Sequence, residues 1–172
     1  MSQKMNIDPG RPMTIQTGST LPSGEFGVMT TDGPGLITTE ELFGDRKVVV
    51  FSLPGAFTPT CSRAHLPGFV RHADDLKAKG VDAIACLSVN DTWVMDAWGR
   101  EQGVGDKVMM LADGNATYTE ALGLLVDLSA GGMGVRGQRF AMIIDDGIVS
   151  HLAIEAPREF AVSSAEAMLE VL

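Results

Sequence analysis

The sequence predicts a single α/β domain over residues 1–172, with a mixed central β-sheet flanked by helices. Three observations carry that expectation. Two short, apolar, β-branched runs at 47–53 and 81–89 are separated by a helix-length segment, the βαβ signature of parallel neighbours joined by a right-handed crossover. Two further apolar runs at 140–144 and 148–154 flank Asp145-Asp146-Gly147, a hairpin signal that adds antiparallel strands. A length of 172 residues holds one substantial hydrophobic core and is too short for two comfortable ones.

Each element has its own warrant. Residues 1–14 read as a loosely attached start, and the Gly- and Pro-containing stretch 18–31 predicts a small hairpin ahead of the main sheet. Thr38-Thr39-Glu40-Glu41-Leu42-Phe43-Gly44 predicts a brief helical turn stopped by its glycine. The run 47–53, bounded by Pro and Gly, predicts an interior strand. Leu66, Phe69, Val70, Ala73 and Leu76 then recur at helical spacing, and Lys77-Ala78-Lys79-Gly80 supplies a basic last turn and a stop. Pro67 removes a backbone donor inside this long helix and predicts a kink near 63–65. Strand 81–89 follows. Asn90-Asp91 then caps a helix whose apolar side carries Val94, Met95 and Trp98. Short elements come next, a strand at 108–111 and a helix at 117–122. After the hairpin, Ser163-Ser164-Ala165-Glu166 reads as a capping box for a last helix bearing Met168, Leu169 and Leu172. Parallel units followed by an antiparallel hairpin and a terminal helix match a thioredoxin-like layout.

Bulk properties narrow the function. A net charge of -9 argues against nucleic acid as a partner. No apolar run approaches the roughly 18 residues of a membrane span, and the start lacks the apolar core of a signal peptide. Two cysteines, Cys61 and Cys86, fit a reducing compartment, so the expected location is cytoplasmic.

Cys61 follows the 47–53 strand through a turn and stands at the opening of a helix. Thr58 or Thr60 can be the N-cap, with Pro59 in the first helical position. Either choice puts Cys61 in the first turn, where free N–H groups and the dipole favour a nucleophilic thiolate. Cys61-Ser62-Arg63-Ala64 lacks the second cysteine of C-x-x-C, which disfavours a disulfide oxidoreductase. His65 lies four residues on and shares a helix face with Cys61, as a base in a Cys–His pair or as a helper beneath the site; the helper role is the expectation. With only His72 and His151 besides, metal binding is not expected. Gly132-Met133-Gly134-Val135-Arg136-Gly137 formally fits a dinucleotide loop, but a strand follows it where a helix would be needed.

Pro54-Gly55-Ala56-Phe57-Thr58-Pro59-Thr60-Cys61 resembles the peroxidatic-cysteine motif of peroxiredoxins. Cys61-Ser62-Arg63-Ala64-His65-Leu66-Pro67-Gly68-Phe69, Cys86-Leu87-Ser88-Val89-Asn90-Asp91, Ala97-Trp98-Gly99 and Arg139-Phe140-Ala141-Met142 resemble the atypical type II, or fifth, class. These segments run in order through most of 45–155. The resemblance implies a thiol peroxidase for hydrogen peroxide and alkyl hydroperoxides, with no metal and no organic cofactor. It implies that Cys61 attacks the peroxide and becomes sulfenic acid. Thr58 would hydrogen-bond the thiolate or the incoming oxygen, Pro54 would shield the site from water, and Arg139 would stabilise the thiolate and the developing charge. His65 supports them. Cys86 is either a resolving cysteine, forming a disulfide with Cys61 that thioredoxin reduces, or a constrained strand residue. Nothing after Ile154 is cysteine, so the class's other resolving position is empty and the expected reductant is glutathione with glutaredoxin. A homodimer is also implied, with Phe43, Phe57 and Trp93 as candidate contacts. The non-catalytic alternative is a redox-sensing or partner-binding domain that uses the same cysteine without turnover.

Overall fold

In the computed structural model residues 13–172 are described, so most of the expected loose start lies outside the described residues. Thr14 and Ile15 are already tied down, through bonds to the carbonyls of Gly123 and Leu122. In chain order the elements are β1 (Glu25–Thr30), β2 (Gly33–Thr38), α1 (Thr39–Phe43), β3 (Lys47–Ser52), a π-turn (Cys61–His65), α2 (Leu66–Arg71), α3 (Ala73–Ala78), β4 (Ala83–Ser88), α4 (Thr92–Glu101), β5 (Met109–Ala112), α5 (Thr117–Ala121), β6 (Leu125–Asp127), β7 (Val135–Gly137), β8 (Phe140–Asp145), β9 (Ile148–Ile154) and α6 (Ala165–Val171). Seven strands form one sheet in the order β2-β1-β5-β4-β3-β8-β9, and β6 pairs with β7 in a second, two-stranded sheet.

The centre of the sheet follows the hydrophobic pattern. β3 runs parallel to β4, which runs parallel to β5, while β8 adds to β3 and β9 to β8 in antiparallel fashion. Strands covered by helices on both sides need no alternation, and five of the six β3 residues and all six of β4 are buried. Val49, Phe51, Ile84, Cys86 and Ile143 pack on one face against Leu66, Phe69, Leu76, Met95, Trp98 and Met168 from the helices. Val48, Val50, Ala85, Leu87, Met142 and Ile144 pack on the other, beneath Phe26, Leu42, Phe43, Tyr118 and Leu122. Asp146 and Gly147 both take positive φ, the geometry of a tight hairpin whose twist matches its strands. A mixed sheet with helices on both faces is the thioredoxin-like arrangement that the sequence predicts.

Several local expectations are corrected. The early hairpin is β1–β2, later than 18–31, because Gly33-Pro34-Gly35 forms an edge strand, where the missing proline donor faces no partner. The long cysteine helix is three pieces: the π-turn lies where the kink is expected, with the Leu66 N–H reaching back to the Cys61 carbonyl, and a second break falls at His72. The capping box of the last helix does not form. Ser164 caps it through the Ala167 N–H, whereas the Ser163 hydroxyl donates to Glu155 and the Glu166 carboxylate meets His72. Phe43, offered as an exposed contact, is 2% exposed and packs edge-on against Phe26; Phe57 and Trp93 are exposed.

Candidate active site

β3 and β4 end side by side, and the loops leaving them meet, the place where open α/β sheets carry their chemistry. Asn90, just past β4, joins the two loops: its Oδ1 accepts from the Ala56 N–H at 3.0 Å and from the Ser88 hydroxyl at 2.7 Å. Arg136 reinforces the junction, donating to the carbonyls of Pro54 (3.4 Å), Val89 (3.3 Å) and Met133 (2.9 Å). A Cβ on Gly55 would approach Arg136 Nη1 to 3.1 Å and the Thr58 side chain to 3.3 Å, so any larger residue there would press on both. Nothing in the sequence marks Arg136 for this role, since it stands inside the glycine-rich stretch whose formal match is to a dinucleotide loop.

The Ser62 N–H donates to the Thr58 carbonyl at 2.9 Å, so the helical turn begins at Thr58 with Pro59 in first place. Neither threonine side chain caps it, contrary to expectation. Thr60 makes no capping bond, and the Thr58 hydroxyl donates instead to the Gly55 carbonyl at 2.7 Å. Cys61 is 1% exposed, with its sulfur turned toward the start of β8.

There Arg139 reaches it. Nη2 donates to Cys61 Sγ at 3.2 Å, and Nη1 is 2.8 Å from His65 Nδ1. His65 is wholly buried, and its Nε2 is 2.9 Å from the Ser163 carbonyl. A carbonyl only accepts, so Nε2 carries the ring hydrogen and Nδ1 accepts from the guanidinium. Burial above all, and then the charge of Arg139, push the His65 pKa down to about 3, so the ring is neutral. Both ring nitrogens are occupied, one by the Ser163 carbonyl and one by the Arg139 guanidinium, so neither faces Cys61 as a free base. Phe51, Phe69 and Phe160 enclose the ring, at centroid distances of 5.0, 5.7 and 4.9 Å. Phe160 also lies 5.8 Å from the guanidinium carbon.

Phe160 and Ser163 belong to the segment after β9, where the sequence marks only Ser163, as the start of a capping box. Glu155 organises it. Its buried carboxylate accepts from the N–H groups of Ala161 (2.8 Å), Val162 (3.0 Å) and Ser163 (3.1 Å) and from the Ser163 hydroxyl (2.8 Å). Burial works to raise its pKa, but these hydrogen bonds together outweigh that and hold the carboxyl below its ordinary value. A cleft of about 420 Å³ opens against Pro54, Thr60, Arg139 and Phe160, with apolar walls from Val126 and Leu128. A larger one, about 500 Å³, lies beside Ala83 and Met109, where β4 and β5 begin, away from the cysteine.

Cys86 sits in β4 opposite Phe51 and Met110, fully buried and in the same core cluster as Cys61. Burial, and secondarily the neighbouring Cys61 sulfur, push its thiol well above the usual range. Both cysteines are free. Among the described residues no three His, Cys, Asp or Glu side chains are grouped to hold a metal ion.

A family model described as Redoxin matches residues 16–169. Chloroplastic Peroxiredoxin-2E-2 of Oryza sativa is 50% identical over 164 residues, which cover 92% of this chain and 73% of that protein. The crystal structure of reduced Prx3 from Vibrio vulnificus in complex with hydrogen peroxide is 52% identical with a TM-score of 0.89, covering 92% of this chain and 99% of that one. Oxidised Prx3 of the same organism is 53% identical with a TM-score of 0.85, covering 92% and 100%.

Proposed function

The chain belongs to the redoxin family and is a peroxiredoxin, a thiol peroxidase, and from that premise we propose a cycle in which Cys61 alone carries the redox chemistry. The Cys61 thiolate attacks one peroxide oxygen; an S–O bond forms as the O–O bond breaks, and the departing oxygen takes a proton to leave as water or an alcohol. Substrates are hydrogen peroxide and alkyl hydroperoxides, for which the apolar walls of the cleft are suited. The observation that carries the reading is the pair of hydrogen bonds that Arg139 donates, one to the sulfur and one to His65. A guanidinium cannot give up its proton here, so it stays a fixed positive charge beside the sulfur and the developing charge. Thr58 donates to Gly55, which leaves its oxygen lone pairs to accept a hydrogen bond from an incoming hydroperoxide. Pro54 lines the neighbouring cleft, a position that suits a shield against bulk water.

Regeneration uses an external thiol. Glutathione attacks the sulfenic acid, water leaves, and glutaredoxin or a second glutathione reduces the mixed disulfide. The burial of Cys86 supports this route over a Cys61–Cys86 disulfide reduced by thioredoxin. Its thiol resists ionisation, and its strand is paired on both sides. A reducing cytoplasm suits two free thiols, and a homodimer would cover Phe57 and Trp93, exposed at 52% and 64%. The test is turnover. The wild type should consume many equivalents of peroxide with glutathione and glutaredoxin, and Cys61→Ser none. An active Cys61→Ser protein sinks the mechanism, and a wild type that stops after one equivalent with every thiol reductant is a sensor.

A further inference from the structure

We propose that Glu155 is a positioning residue for the peroxidase reaction, aiming the Arg139 guanidinium at Cys61 through the 155–163 segment; the rate consequence rests on the function proposed above. Hydrogen bonds trace a closed ring. The Glu155 N–H donates to the Arg139 carbonyl at 3.0 Å, fixing the arginine backbone where β8 begins. The Glu155 carboxylate gathers the successive N–H groups of Ala161, Val162 and Ser163, an arrangement that suits an anion. So held, the Ser163 carbonyl turns to His65 Nε2, and His65 Nδ1 receives Arg139 Nη1. The guanidinium's other nitrogen meets Cys61 Sγ. Glu155 therefore controls both the backbone and the tip of the same arginine.

A buried carboxylate is costly where its only task is to close a turn, since a neutral side chain does that more cheaply. Its placement gives it a further use. Among the described residues no carboxylate stands within ion-pair distance of Arg139. A direct partner would neutralise part of the field that the sulfur needs. The neutral His65 ring transmits alignment and leaves the guanidinium charge undiminished toward Cys61. Phe160, in the middle of the segment, closes over both His65 and Arg139. Glu155→Gln keeps one acceptor oxygen but turns an NH2 against the remaining donors and removes the negative charge, so the anchor weakens while side-chain size is kept.

The experiment is the alkylation rate of Cys61 by iodoacetamide as a function of pH, read on the intact 172-residue chain, beside its peroxide consumption. Glu155→Gln should move the alkylation profile to higher pH and slow peroxide reduction at neutral pH about tenfold, the effect of one charge-assisted hydrogen bond lost from the chain of contacts. Its circular dichroism should match the wild type. A folded Glu155→Gln protein with a lower melting temperature but an unchanged alkylation profile overturns the proposal, because that is a structural role alone. Should this variant not fold, Glu155→Asp carries the test: one methylene shorter, it cannot hold all three N–H groups, and an unchanged profile again overturns the idea. Failure of the peroxidase reading would look different, as a wild type without turnover whose alkylation profile still responds to Glu155.

Discussion

At the residue scale the site depends on one arginine serving two acceptors, the Cys61 sulfur and a neutral imidazole. Arg139→Ala leaves both unpaired, and second-order rates with peroxide should fall about a hundredfold or more, the usual consequence of losing a donor aimed at developing charge. Arg139→Lys should rescue little, since one ammonium cannot span Cys61 Sγ and His65 Nδ1 as a fork does. Near-normal stopped-flow rates for either variant would contradict this role. His65 makes a prediction about pH. Its pKa falls from 6.5 to about 3 on folding, so between those values the unfolded chain binds a proton that the folded chain refuses. Stability is therefore fullest above about pH 6.5 and declines as pH drops toward 3. Urea melts at a series of pH values should show that slope, and His65→Gln should flatten it; an equal slope in both proteins would place the titration elsewhere. Cys61 and His65 were legible in the sequence from their types and spacing, and Arg139 through the resemblance to a known family. Glu155, Phe160, Ser163 and Arg136 were not. His65 and Ser163 are 98 positions apart, and the segment they depend on reads locally as a polar surface loop.

At the element scale, the π-turn and β4 decide what the two cysteines can do. The π-turn spans Cys61 to His65 and directs both side chains inward, while the Trp98 indole donates to the Ser62 hydroxyl at 3.0 Å and ties the turn to α4. Pro67 told of a disturbance here, but only the structure shows that the disturbance is a wider turn rather than a bend. β4 is bonded to β3 on one side and β5 on the other, so Cys86 cannot leave its place without opening the middle of the sheet. Cys86→Ser should accordingly keep peroxidase activity within about twofold with glutathione and glutaredoxin, while lowering stability by ~1–3 kcal/mol for a buried hydroxyl. Loss of activity together with full stability would make Cys86 a redox participant. The strands that escaped the sequence reading are the edge strand β2 and the three-residue β6 and β7, where Gly and Pro mask the β pattern or the run is too short to show one.

On the scale of the whole molecule, the order of elements was readable because the central strands are buried on both faces and appear as continuous apolar runs. What joins β8, the segment after β9 and the cysteine turn into one site is tertiary, and no local pattern announces it. The joined assembly leaves one thiol beside Arg139, itself part of a cleft wall, and the other enclosed in the sheet, so oxidation by peroxide should mark only the first. The intact mass of the reduced protein after one equivalent of hydrogen peroxide, measured without reductant, tests that directly. A gain of one oxygen, trapped at Cys61 as sulfenic acid, is the predicted result. A loss of two hydrogens, with Cys61 and Cys86 joined, would contradict the one-cysteine cycle and make thioredoxin the reductant to test.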